Sequence, residues 1–188
     1  MTFSPLDIAG AAIGLVYIFS EYRANRWFWP ASLLMSAFYA VIDFNAHYYA
    51  NASICVYNFV MSIYGILVWR GLVQSKHHDE RPITSCPKPV WKWIVLAVVL
   101  LSVVFWRVLL VLGESNYPVV DGISAALSVV GMVMCAQKWW QQWFCWMIVE
   151  PLMMVLFLCA GMYASAALYA VYEVFCILGV VRWKKESI

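Results

Sequence analysis

The apolar positions of this chain fall in long blocks, without the strict alternation of half-buried strands or the one-sided stripe of a surface helix. The blocks lie at about 7–22, 28–46, 50–69, 90–112, 120–137, 143–161 and 164–183. Several of them approach the roughly 20 residues that a helix needs to cross a bilayer. The pattern therefore predicts an all-α integral membrane protein with seven transmembrane helices. Barrel strands would instead give alternating segments of about ten residues. The one soluble-looking stretch is residues 70–92, RGLVQSKHHDERPITSCPKPVWK, which reads as a connecting loop because of its prolines and clustered charge. His77 and His78 within it read as solvated, since no further ligands stand at metal spacing.

Composition sharpens this picture. Apolar residues make up 65% of the 188 positions and charged residues only 12%, with a mean hydropathy of +0.79. A soluble domain of this length carries more charge. The N-terminal MTFSPLDIAG lacks a basic n-region and no small-residue cleavage site follows, so the first block is expected to stay as a helix. Placing the N-terminus outside and the C-terminus in the cytoplasm puts every Lys and Arg except Arg107 on the inner side, as the positive-inside rule requires. Cys55, Cys135, Cys145, Cys159 and Cys176 lie inside apolar blocks and Cys86 in the loop, with no CxxC pair. They read as small hydrophobes, and neither a metal nor a cofactor is expected.

The chain also repeats itself. Shifting the sequence by 114 positions without a gap superposes Asp7 on Asp121, Val16 on Val130, Trp29 on Trp143, Tyr49 on Tyr163, Gly65 on Gly179 and Trp69 on Trp183. Spans 1–3 thus recur as spans 5–7, and the shift of four spans keeps the copies parallel. The expectation is a single membrane domain over residues 1–188 in a 3+1+3 arrangement: repeat 1 at about 7–70, a linker and fourth helix at about 71–113, and repeat 2 at about 120–184. Parallel repeats of this kind are one architecture of secondary transporters, with the substrate site near the midplane.

Polar residues at depth are the candidate chemistry. Residues 143–151 read WFCWMIVEP. At about 100° per residue, Trp143, Trp146 and Glu150 share one helix face. A carboxylate at a helix centre costs about 2.5–3.5 kcal/mol on insertion scales, so it normally meets a polar cavity or partner. Pro151 behind it removes a backbone donor and can loosen the helix. Two indoles and an acid suit a flat cation through stacking, cation–π attraction and charge. Trp139 and Trp140 instead read as an interfacial belt. Facing walls could come from Ser36 in span 2, from Asn51, Cys55 and Asn58 in span 3, and from Tyr169, Tyr172 and Glu173 in span 7. The span 2 and span 3 stripes fit ordinary polar helix packing as well. Glu173 is open to three roles: ligand contact, proton carrier, or partner of the tyrosines. The repeat pairs Ser36 with Glu150, Asn58 with Tyr172 and Phe59 with Glu173, so the pocket is expected to be asymmetric. No convergent catalytic constellation is present in the sequence, and an enzyme is not expected.

These residues carry a family resemblance. The run WFCWMIVE is similar to the WxxW-xxx-(Asn/Asp) pattern of the Pnu-type bacterial vitamin transporters; residues Tyr49–Trp69 resemble their third helix ending in YGxxxW, and residues 164–183 their closing helix. The resemblance covers nearly the whole chain. It implies a multi-pass protein of the bacterial inner membrane, usually a homotrimer, that moves a vitamin precursor by facilitated diffusion while a cytosolic kinase traps the product. In the nicotinamide riboside members, Asn or Asp stands at the place of Glu150, and a glutamine followed by tyrosine at the places of Cys55 and Asn58. Those departures and the two buried glutamates favour a small cationic aromatic vitamin of the thiamine branch. Nicotinamide riboside is the alternative, ahead of riboflavin or a deoxynucleoside. A membrane scaffold or sensor that transports nothing is the reading from another class. The modest net charge of +2 gives no ground for a nucleic-acid partner.

Overall fold

The computed structural model describes residues 5–45, 47, 49–73, 81–113, 115–159, 161 and 163–188, with side chains from residue 14 onward except at 42, 43, 50, 51 and 164. The side chains of Asp7, Asp43 and the candidate Asn51, and the pair His77–His78, lie outside the described residues. Among those described, the helices are α1 (Pro5–Tyr22), α2 (Phe28–Asn45), α3 (Tyr49–Trp69), α4 (Lys88–Leu112), α5 (Pro118–Ala136), α6 (Trp143–Cys159) and α7 (Tyr163–Glu186). The fold is all-helical, and the bounds follow the hydropathy blocks to within a turn. Segments of α3, α4, α5 and α7, and the stretch Trp140–Cys159 that contains α6, are long and apolar enough to cross a membrane, and α2 carries a shorter apolar run, Phe28–Val41.

The helix ends have local causes. Prolines open α4 and α5, where a missing N–H costs nothing, and Gly113 closes α4 in the left-handed region at φ 69°. The ends of α1 and α5 share one device. Ala24 (φ 49°) and Lys138 (φ 51°) take the left-handed conformation. The amides of Ala24 and Asn25 donate to the carbonyls of Glu21 and Ser20, and those of Lys138 and Trp139 to the carbonyls of Cys135 and Met134. These are two Schellman closures, 114 positions apart. A second matched pair follows at the next turn, where His47 (φ 64°) and Gly161 (φ 74°) are both left-handed and bond back to Phe44 and Leu158.

Packing recurs at the same offset. The Trp29 ring lies on Gly65, where a Cβ would come within 2.3 Å of it, and meets Trp69 edge-on at 5.5 Å and 88°. The Trp143 ring lies on Gly179 at 2.4 Å by the same measure and meets Trp183 at 5.6 Å and 90°. Trp69 and Trp183 then touch each other at 6.3 Å. Each reaches across: Trp69 Nε1 donates to the Cys135 carbonyl at the end of α5, and Trp183 Nε1 to the Tyr22 carbonyl at the end of α1. All four tryptophans are buried in one core that gathers the ends of α1, α3, α5 and α7 with the starts of α2 and α6.

Helix α2 packs along α3 and α6 along α7, while α1 lies beside α7 and α3 beside α5. Helix α4 runs along α5 and buries none of its residues; Gly122 lets its backbone approach, since a Cβ there would lie 2.8 Å from the Trp106 nitrogen. The segment 81–87 straps the turn between α5 and α6. Thr84 exchanges backbone bonds with Lys138 and Trp140, Cys86 N–H donates to Gln141 Oε1, and Trp140 Nε1 donates to Ser85 Oγ.

Candidate functional site

The site grows from the start of α6. A single 3₁₀ turn, Trp140–Gln142, brings the chain off the strap and places Gln142 one residue ahead of the helix. Gln142 is fully buried. Its Oε1 accepts a hydrogen bond from Trp146 Nε1, one turn further on, and its Nε2 has no partner among the described residues. Leaving a buried amide donor unmade costs about 1–3 kcal/mol. Trp146 is half-buried, with part of its indole against Gly131 of α5, where a Cβ would sit 3.3 Å from the ring.

Glu21, at the end of α1, completes this cluster. It is only 2% exposed, and its carboxylate lies beside Gln142, Trp146 and Cys135. The Cys135 thiol approaches Glu21 Oε1 at 3.9 Å. The two residues are 114 positions apart, so equivalent positions of the repeat meet face to face here, one a carboxylate and the other a thiol. Tyr17, one turn before Glu21, stands within electrostatic reach of Glu21, Cys135 and Tyr172 and near the Ser32 hydroxyl.

Two turns beyond Trp143, Glu150 is 8% exposed, and its Oε2 has no partner among the described residues. Glu21, Glu173, Tyr169, Tyr172 and Cys176 lie within electrostatic reach of it. The Tyr169 and Tyr172 rings meet at 5.4 Å, and the Tyr172 hydroxyl rests on Gly14 of α1. Glu173 Oε2 likewise has no partner among the described residues. Helix α6 continues through Pro151 to Cys159. The missing N–H of Pro151 leaves the Met147 carbonyl without its bond inside the helix, four residues above the Trp143 ring.

The structure thus brings Trp146, Glu150, Tyr169, Tyr172 and Glu173 into one region. Ser36 of α2 is buried, and Asn58 and Cys55 of α3 are half-buried; Ser62 Oγ donates to the Asn58 carbonyl and is hydrogen-bonded with Ser32 Oγ, a bond between α3 and α2. Trp143 is placed differently from Trp146: it is 0% exposed, seated on Gly179 and perpendicular to the Trp183 ring. Helix periodicity puts the two indoles on one face but does not say which neighbour covers each. Glu21, Gln142 and Tyr17 are the residues that the sequence reading missed. Glu21 could have been flagged, since the 114-position shift sets it on an apolar partner, Cys135.

A deep, partly apolar wall with one half-buried indole, and with carboxylate oxygens and an amide donor unpaired among the described residues, can hold a flat, cationic, hydrogen-bonding solute. Comparison with known proteins gives the family. The family model described as nicotinamide mononucleotide transporter matches residues 4–185. The nicotinamide riboside transporter PnuC of Escherichia coli (strain K12) is 22% identical over 204 residues, covering 95% of this chain and 84% of that protein; the same figures hold for PnuC of Shigella flexneri. The crystal structure of the vitamin B3 transporter PnuC is similar in fold, with a TM-score of 0.74, 19% identity, and coverage of 96% of this chain and 80% of that one. With nearly its whole length matched, this multi-pass membrane chain belongs to the nicotinamide mononucleotide transporter family.

Proposed function

We propose that this protein carries nicotinamide riboside, or a close cationic relative, across the bacterial inner membrane by facilitated diffusion. The observation that carries the reading is Glu150, a buried carboxylate on the same helix as the ring of Trp146, with one oxygen unpaired among the described residues. A positively charged pyridinium ring stacked on that indole would offset the cost of the buried acid. The thiamine expectation drew on Glu150 and Glu173, which suit either cation, and on Cys55 and Asn58 standing where the riboside members have glutamine and tyrosine. The named relatives are nicotinamide riboside transporters, and they favour the riboside over thiamine.

The proposal includes one membrane domain in the 3+1+3 arrangement, supported by the paired Schellman closures and the paired tryptophan-on-glycine seats. It also includes the N-terminus outside and the C-terminus in the cytoplasm, supported by the distribution of Lys and Arg, together with assembly as a homotrimer and trapping of the product by a cytosolic kinase. Uptake by proteoliposomes lacking ATP is the test. Saturable entry of labelled nicotinamide riboside, halted by excess unlabelled riboside and little affected by thiamine, is the expected result. Preferential competition by thiamine would return the substrate to that vitamin, and absence of any uptake would leave a scaffold or sensor.

A further inference from the structure

Gln142 and Glu21 do not belong to the Trp–Trp–Glu pattern on α6, yet they are among the most deeply buried polar side chains of the protein. Gln142 is half used. Its carbonyl oxygen holds the Trp146 indole in place, while its Nε2 lies next to the Glu21 carboxylate without making a hydrogen bond of normal geometry. A buried donor and a buried acceptor therefore stand side by side at the edge of the indole. We propose that Gln142 and Glu21 form a subsite that reads a ring substituent offering an acceptor beside an NH₂ donor, as a primary carboxamide does. The inference rests on the proposed transport of nicotinamide riboside and adds to it the residues that recognise the amide.

The chemistry is complementary atom by atom. Gln142 Nε2 donates to the amide oxygen of the ligand, and the Glu21 carboxylate accepts from its NH₂. The same pair rejects a carboxylate at that position, because two acids would face each other with a single donor between them. The arrangement is specific to one side of the repeat: 114 positions away, Phe28 stands for Gln142 and Cys135 for Glu21. Oε1 of Gln142 fixes the indole and Nε2 fixes the ligand, so one side chain couples ring stacking to amide recognition.

Isothermal titration of the purified protein with nicotinamide riboside and with nicotinic acid riboside tests this directly. Wild type is expected to bind the carboxamide at least tenfold more tightly than the carboxylate. Glu21→Gln, close to isosteric, removes the repelling charge and should shrink that ratio about tenfold or more, chiefly by improving binding of the carboxylate. Gln142→Glu keeps an acceptor for Trp146 but removes the donor, and should weaken carboxamide binding about tenfold, serving also where Glu21→Gln does not fold. A ratio unchanged in a variant that melts like wild type, or equal binding of the two ribosides by wild type, would overturn the subsite alone. Wild-type protein that binds neither riboside would overturn the transport reading and the subsite together.

Discussion

Glu150 concentrates the argument at the scale of the residue. Its insertion costs about 2.5–3.5 kcal/mol at a helix centre, and in the structure one of its oxygens is left without a partner among the described residues. If, as proposed, this group destabilises the empty protein and meets the cation of the solute, it should show opposite effects on folding and binding. Glu150→Gln is expected to leave the melting temperature equal or higher while weakening riboside binding at least tenfold, read by thermal melts and titration on the same preparation. Binding that survives unchanged would remove Glu150 from the site. A second residue, Ala24, carries backbone strain in place of polar strain: its φ of 49° is costly for any residue with a Cβ. Ala24→Gly should relieve it and stabilise the protein by up to about 1 kcal/mol, the glycine's greater freedom when unfolded offsetting part of the gain.

At the scale of the element, the glycine seats decide how close helices come. The Trp29 ring occupies the place of a Cβ on Gly65, and the Trp143 ring that on Gly179. Alanine at either site drives a methyl group into an indole that is itself fully buried, an overpacking that costs about 1–3 kcal/mol. Gly65→Ala and Gly179→Ala should lower the melting temperature by similar amounts, because the two seats have the same geometry. A large effect at one and none at the other would mean that the second seat repacks freely. These seats also show what was legible beforehand. The helix bounds follow from block hydropathy, and the repeat was visible because Trp29, Gly65 and Trp69 have identical residues 114 positions on. The division of labour between Trp143 and Trp146 was not legible, since it depends on Gly179 and Trp183 of α7 closing over the first indole. Glu21 was hidden for a related reason: it ends a helix, and only the approach of α5 and α6 buries it.

At the scale of the whole molecule, the seams between the copies are where rocking of one copy against the other would act. Helix α1 meets α7, and α3 meets α5, while α2 with α3 and α6 with α7 pack along each other. If transport proceeds by rocking of one copy against the other, the α1–α7 seam must shift during each cycle. Phe19 and Phe175 mark that seam, with ring centroids 6.4 Å apart in an edge-on contact. Both lie outside the polar cluster of Glu21, Gln142 and Trp146, so cysteines placed there leave recognition of the solute intact. In the double variant Phe19→Cys/Phe175→Cys, a short bifunctional thiol reagent with a cleavable disulfide core should abolish riboside uptake by proteoliposomes, and a reductant should restore it. Each single variant treated in the same way controls for reaction at the native cysteines. Titration of the cross-linked protein should still give binding, because the lock stops the exchange between states and spares the state it captures. Full uptake by the cross-linked double variant would mean that this seam is static and that the solute passes by a movement confined within one copy.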